Sequence, residues 1–234
     1  MAPPLTSVCY FLALVHYGYA AMGPAYSTGP VSSGNFIREA TSTLVVPQAP
    51  NPIIGNTVLW TGMGTSAGDL IQAITNNYPA DTLGAVCSHL GGNWCVAATT
   101  LHKTSSSTQQ EIAGPDSTTT PSSQVTMRYV YDDASGNYTQ TAAVNGVVVS
   151  QISTSSGLAQ GWGTAQECTT KPCGVVPAHS WINTTLIMNV ADPNYSQTAY
   201  PTGAGVTGQI ITTDGGKTWT AAKLGIPSWD CTTL

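Results

Sequence analysis

Charge is scarce in this chain. Charged residues make up 7% of its 234 positions, against roughly 25% in an average soluble protein. Six Lys and Arg stand against eleven Asp and Glu, for a net charge of −5. The basic residues form no cluster. A phosphate backbone needs several convergent cations, so nucleic acid is excluded as a partner. Helical periodicity is missing as well, which excludes alternating strand–helix units and a parallel sheet. There is no repeat period, hence no solenoid. No apolar run is long enough to cross a bilayer as a helix, so no membrane partner is expected once a leader is removed. Cys-x-x-Cys and His-Glu-x-x-His are absent, and His89, His102 and His179 stand in no ligand pattern. The expectation is no metal and no organic cofactor.

Ser, Thr, Gly, Asn and Gln are abundant instead, so solubility rests on neutral hydrogen-bonding groups and attached sugars. The N-terminal run VCYFLALV is followed by small residues at Gly18-Tyr19-Ala20. This pattern reads as a signal peptide over residues 1–20 and a secreted mature domain over 21–234. A buried N-terminal strand is the competing reading. Three Asn-x-Ser/Thr triplets, at Asn137, Asn183 and Asn194, fit a glycosylated secreted protein. Of the cysteines, Cys9 leaves with the leader. Cys87 with Cys95, and Cys168 with Cys173, are close enough in sequence, across Gly-Gly and Lys-Pro turns, to form local disulfides. Cys231 is left over.

Alternating or wholly apolar runs of five to eleven residues recur, separated by Gly, Pro, Asn and Asp: TSTLVVP, NTVLW, DLIQAI, WCVAATTLH, QVTMRYVYD, YTQTAAV, VVVSQIS, SWINTTLIMNV, TGQIITT and WTAAKL. They read as antiparallel strands. Asn145-Gly146 is a type I′ hairpin turn, and Asp214-Gly215 marks a second hairpin near the end. SSSTQQEIAGPDSTTTPSS, residues 105–123, reads as a surface loop. The expected fold is one all-β domain, an antiparallel sandwich or jelly roll.

GTSAG, residues 64–68, matches the nucleophile elbow of serine hydrolases. A strand-like run follows it instead of a helix, so a hairpin turn at Ser66 is the better reading. Six Trp and ten Tyr could supply a sugar-stacking surface or simply core. Gln72 is more pointed. It stands in the apolar DLIQAI run, where strand parity puts it on one face with Leu70 and Ile74. The expectation is that its amide looks into the hollow shared by two facing sheets. There it either binds water or donates to a developing oxyanion.

TSTLVVP followed by VLWTGMGTSAGDLIQAI resembles the fungal glutamic peptidases, the eqolisins, with Gln72 at the place of the family's catalytic glutamine. VVPAHSWINTTLIMNVAD and TTDGGKTWT resemble later strands of the same family in the right order. The resemblance implies an antiparallel jelly-roll sandwich of the concanavalin A-like or eqolisin-like kind and an acid-acting peptidase. In that mechanism a glutamate activates water while the glutamine stabilises the oxyanion. Where the family has Ala-Glu-Trp, this chain has LAQGWGTAQEC, with Gln160-Gly161 before Trp162. A glutamine takes up no proton at useful pH, so it cannot be the base. Glu167 is the substitute candidate, paired with Gln72, and Trp60, Gln160 and Trp162 are expected to line the cleft.

The leading expectation is therefore a secreted peptidase or hydrolase centred on Gln72. The alternatives are a catalytically degenerate sandwich that binds a peptide or glycan, and a cleft repurposed to cyclise or isomerise a small organic molecule. A low content of titratable groups suits acid exposure, since few carboxylates can lose partners on protonation.

Overall fold

The computed structural model describes residues 20–82 and 85–233. Nearly all of the expected leader therefore lies outside the described residues. Seventeen strands account for the architecture: β1 (Ala21–Met22), β2 (Ala25–Thr28), β3 (Ile37–Val45), β4 (Thr57–Thr65), β5 (Leu70–Asn77), β6 (Trp94–Lys103), β7 (Gln109–Ala113), β8 (Ser117–Thr119) and β9 (Gln124–Asp132). After these come β10 (Asn137–Val144), β11 (Val147–Thr154), β12 (Ala159–Cys168), β13 (Val175–Val176), β14 (His179–Met188), β15 (Tyr200–Thr202), β16 (Thr218–Ile226) and β17 (Trp229–Asp230).

They form a nine-stranded sheet in the order β15-β2-β12-β4-β5-β6-β7, with β1 also on β12 and β8 on β6. Facing it is a six-stranded sheet, β11-β10-β9-β3-β14-β16, and β13 pairs with β17 in a separate two-stranded sheet. All the pairings between strands are antiparallel, and the two sheets make the sandwich that the strand pattern predicts.

Alternation explains the core. On the large sheet Leu59, Met63, Ile71, Ala73, Val96 and Trp162 face inward. They meet Leu44, Met127, Tyr129, Tyr138, Trp181 and Leu186 of the smaller sheet. Phenols also tie the layers together: Tyr129 donates to the Thr61 carbonyl at 2.5 Å, and its burial raises its pKa far above the ordinary phenol range. Gln140 donates to the Thr100 hydroxyl at 2.5 Å, again from sheet to sheet. A buried polar group bonded in this way fixes how the sheets sit on each other.

Several sequence expectations change. Residues 105–123 are not one loop, because β7 and β8 lie in them and extend the large sheet. Gln109–Ala113 carries no apolar alternation, since this edge strand is largely solvated on both faces. TGQIITT forms only isolated bridges, Thr207 with Gly225 and Ile211 with Thr220. The Asn145-Gly146 turn is as expected, with φ of 49° and 85°, the left-handed pair that a type I′ turn requires.

Candidate active face

The outer face of the large sheet, turned away from the smaller one, carries the candidate site. Register sets it. Gln72 of β5 lies opposite Gly62 of β4, which lies opposite Gly163 of β12; on the other side Gln72 faces Thr99 of β6. Directly opposed residues share a face. Gln72 therefore points away from the inter-sheet core, in which its neighbours Ile71 and Ala73 are buried. The expectation that it looks into the hollow between the sheets is corrected by this parity. It is nonetheless 6% exposed, because a second apolar cluster of Val58, Trp60, Leu70, Ile74, Ala97 and Ala165 surrounds it.

Gly62 is what admits it. A Cβ there would stand 2.6 Å from the Ile71 carbonyl oxygen and 2.9 Å from the Gln72 Cβ. Gly62→Ala should cost about 1–3 kcal/mol in urea unfolding, the usual range for overpacking. The Gln72 amide itself makes no hydrogen bond to another described residue, and neither of its polar atoms is sealed from solvent. A largely buried amide with no internal partner is a group left open for a ligand or water.

Glu167 shares this face but not this place. Gln160 is the extra residue of a bulge, where Ala159 pairs with Thr65 and Gly161 with Gly64. Beyond it Gly161, Gly163, Ala165 and Glu167 return to the outer face. Glu167 pairs with Val58, and Val58 with Asn76. That is two strands and four residues from Gln72, roughly 16 Å between Cα atoms from ordinary sheet spacings. Two side chains so far apart cannot hold one water. The expected Gln72/Glu167 pair is not brought together.

What Glu167 does touch is Trp60, whose indole N–H donates to the carboxylate at 3.1 Å. Desolvation raises the Glu167 pKa, and the Trp60 bond opposes that rise. Trp60 lines the face with 3% exposure. Gln160 is half-buried in the bulge, its side-chain amide donating to the Leu158 carbonyl and its backbone carbonyl accepting the Val31 N–H. Trp162 is fully buried in the inter-sheet core. Its expected place in the cleft is corrected: one residue of parity beyond Gly161 turns it inward.

The remaining motifs are structural on this geometry. Ser66 sits in the β4–β5 turn and accepts the Leu158 N–H at 2.9 Å. Buried Asp69 holds His102 at 2.9 Å and accepts the Lys103 N–H. His179 is buried, donates to the Pro177 carbonyl, and has its pKa pushed down to about 4 by desolvation. Disulfides join Cys87 to Cys95 and Cys168 to Cys173, leaving Cys231 free and buried. Asn183 and Asn194 are exposed, and Asn137 is half-buried.

Sequence reasoning missed Glu111 and Asp116, which come onto the same outer face near Thr99. Glu111 of β7 and Asp116, between β7 and β8, lie in the polar stretch that carries no periodicity. Desolvation raises both pKa values, and Asp116 adds to the rise at Glu111.

No protein-family model matches the chain, and no curated protein does. Solved structures do resemble it. Scytalido-glutamic peptidase with a transition-state analogue inhibitor aligns at 13% identity over 87% of this chain and 98% of its own, with a TM-score of 0.49. SCP-B, a member of the eqolisin family in complex with the tripeptide Ala-Ile-His, aligns at 12% identity over 87% and 98% of the two chains, with a TM-score of 0.46. An endo-1,3-beta-glucanase from Streptomyces sioyaensis aligns at 12% identity over 87% and 67%, with a TM-score of 0.33. The likeness is one of fold, the antiparallel β-sandwich.

Proposed function

We propose that the chain is a secreted β-sandwich protein whose outer sheet face binds an extended peptide, with Gln72 as the reading group. The observation that carries this is the largely buried Gln72 amide without an internal hydrogen-bond partner. A carboxamide offers a donor and an acceptor side by side, which matches the N–H and C=O of a peptide backbone. A glycan reader centred on Gln72 would need an exposed ring beside it for stacking. Trp60 is closed over, Trp94, Trp162, Trp181 and Trp219 are core residues, and Trp229 packs against the core. Tyr200 of β15 is exposed on this face, but it stands four strands from Gln72 along the register, about 19 Å away. Peptide is therefore favoured over glycan.

The test uses replacement of the amide by a shape-similar apolar side chain. Gln72→Leu should leave thermal stability unchanged or raised, because no internal bond is lost and the neighbours are Leu70 and Ile74. The same change should weaken binding of extended peptides by about 10-fold or more, read by fluorescence anisotropy. Undiminished peptide binding by this variant would sink the reading.

A second reading, acid-acting hydrolysis, has one observation in its favour: Glu111, Asp116 and Glu167, carboxyls of raised pKa, share the face with Gln72. Glu111 is two strands and two residues from Gln72, about 12 Å between Cα atoms, and so is better placed than Glu167 to act on the same ligand. Cleavage of denatured casein at acidic pH, abolished by Gln72→Ala, would establish hydrolysis over binding alone.

A further inference from the structure

Beside Gln72, toward the β7 edge, a recess of about 100 Å³ opens on the outer face. Its floor is apolar, made by buried Ile74 and Ala97, with exposed Ala113 at the rim. Around that floor stand groups that want a hydrogen bond. Thr99 is 1% exposed, lines the recess, and its hydroxyl has no partner. The Asn76 amide oxygen also lines it, sealed from solvent and unpartnered. A buried oxygen without a partner costs about 1–3 kcal/mol, which a ligand donor would recover.

At the mouth are two carboxyls, Glu111 and Asp116. Neither forms an ion pair among the described residues. Desolvation disfavours the charged form of both, and the Asp116 charge adds to this at Glu111; a cation seated between them opposes both effects. The opposite wall, Val86 and Cys95, is fixed in place. Cys87 is bonded to Cys95 through its disulfide and to the Tyr78 hydroxyl through both its N–H and its carbonyl, at 2.9 and 2.8 Å. The recess is thus preformed, which spares a ligand the entropy of ordering it.

Oxygen acceptors and carboxylates around a short apolar shaft select a ligand with several N–H donors, a positive charge and an alkyl stem. We propose that this recess binds a primary ammonium on a short alkyl chain, the chemistry shared by a lysine side chain of a bound peptide and by a free aliphatic amine. The volume suits an alkyl stem of about four heavy atoms, with the ammonium at the carboxyl-lined mouth, given that a cavity of roughly 150 Å³ holds benzene. The lysine form rests on the peptide reading above; the free-amine form does not.

The probe is n-butylammonium, titrated into the full chain at neutral pH and followed through the amide NMR signals of Thr99 and Ala113. Saturable shifts confined to this region are expected. They should weaken about 10-fold or more with neutral n-butanol, and likewise with n-butylammonium in the Glu111→Gln/Asp116→Asn double variant. Thr99→Val, which keeps the shape and removes the hydroxyl, should weaken binding by a smaller factor. No saturable shift, equal binding of butanol, or undiminished binding by the double variant would overturn the proposal.

Paired peptides carrying lysine or norleucine separate the two sources. Preference for lysine, competed away by n-butylammonium, makes the recess a side-chain subsite. Butylammonium binding with no preference for lysine makes it a free-amine site. Butylammonium binding with no peptide bound at all keeps the recess and removes the peptide reading.

Discussion

Lowering the pH from 6.5 to 4 should weaken the folded state through His179, whose pKa burial pushes from an ordinary 6.5 down to about 4. The size is on the order of 3 kcal/mol, from the linkage between proton binding and folding. The sign follows from which state takes the proton first. Below 6.5 the unfolded chain binds it and the folded chain does not, so acid favours unfolding until the folded imidazole also protonates near 4; below that the loss is complete and constant. The cause is visible at the site. The ring's Nδ1–H is committed to the Pro177 carbonyl, and its Nε2 is buried with no acceptor for a second proton.

Glu111, Asp116 and Glu167 act the other way. Their folded pKa values are raised, so the folded state takes their protons first. The stability they contribute is present in acid and is lost as the pH rises through those values. Urea unfolding across this range, comparing the parent with His179→Asn, isolates the histidine term. Asparagine keeps a donor for Pro177 without a titrating ring. The variant's stability should fall less on acidification, and parallel curves for the two proteins would refute the assignment. Tolerance of acid thus depends on a balance of buried groups and not simply on how few titratable residues the chain has.

The fold was legible because it is written in period-two alternation, which survives in every core strand. Leu59, Met63, Ile71 and Ala73 had to go one way, and Leu70, Gln72 and Ile74 the other. What alternation cannot say is which face meets the second sheet when both are apolar. Leu70 and Ile74 are as hydrophobic as Ile71, so the sequence offered no reason to prefer the outer face for Gln72. Parity through a bulge was equally hidden. Gln160 is extra to the ladder, and this one residue decides that Trp162 faces the core while Glu167 faces out. Glu111 and Asp116 were missed for a different reason: an edge strand with both faces wet, and the link that follows it, have no pattern to betray them. Thr99 shows the last limit, since an unpartnered hydroxyl is a property of packing and not of residue type.

Truncating Trp60 to alanine should cost about 3–5 kcal/mol, as large aromatic deletions in packed clusters do. The more informative change is Trp60→Phe, which keeps a ring among Val58, Ile74 and Ala165 and removes only the indole N–H. That N–H is the one side-chain donor to the Glu167 carboxylate among the described residues. Without it, desolvation acts unopposed, and the Glu167 pKa should climb further above its already raised position. The stability cost should be about 1–3 kcal/mol at pH values above the Glu167 pKa, where the carboxylate is charged and left alone. It should shrink in acid, where the protonated group no longer needs a strong donor. Glu167→Gln, neutral at every pH, should flatten this dependence, so the double-mutant cycle measures the bond itself. A Trp60→Phe cost that is the same at all pH values, or a Glu167 titration that does not move by NMR, would mean the contact is packing alone. If instead the cycle closes as expected, Glu167 is a carboxyl held by its neighbour's indole. An acid tied in that way, roughly 16 Å from the amide at Gln72, belongs to the architecture of the face and leaves any chemistry there to Gln72 and the carboxyls near β7.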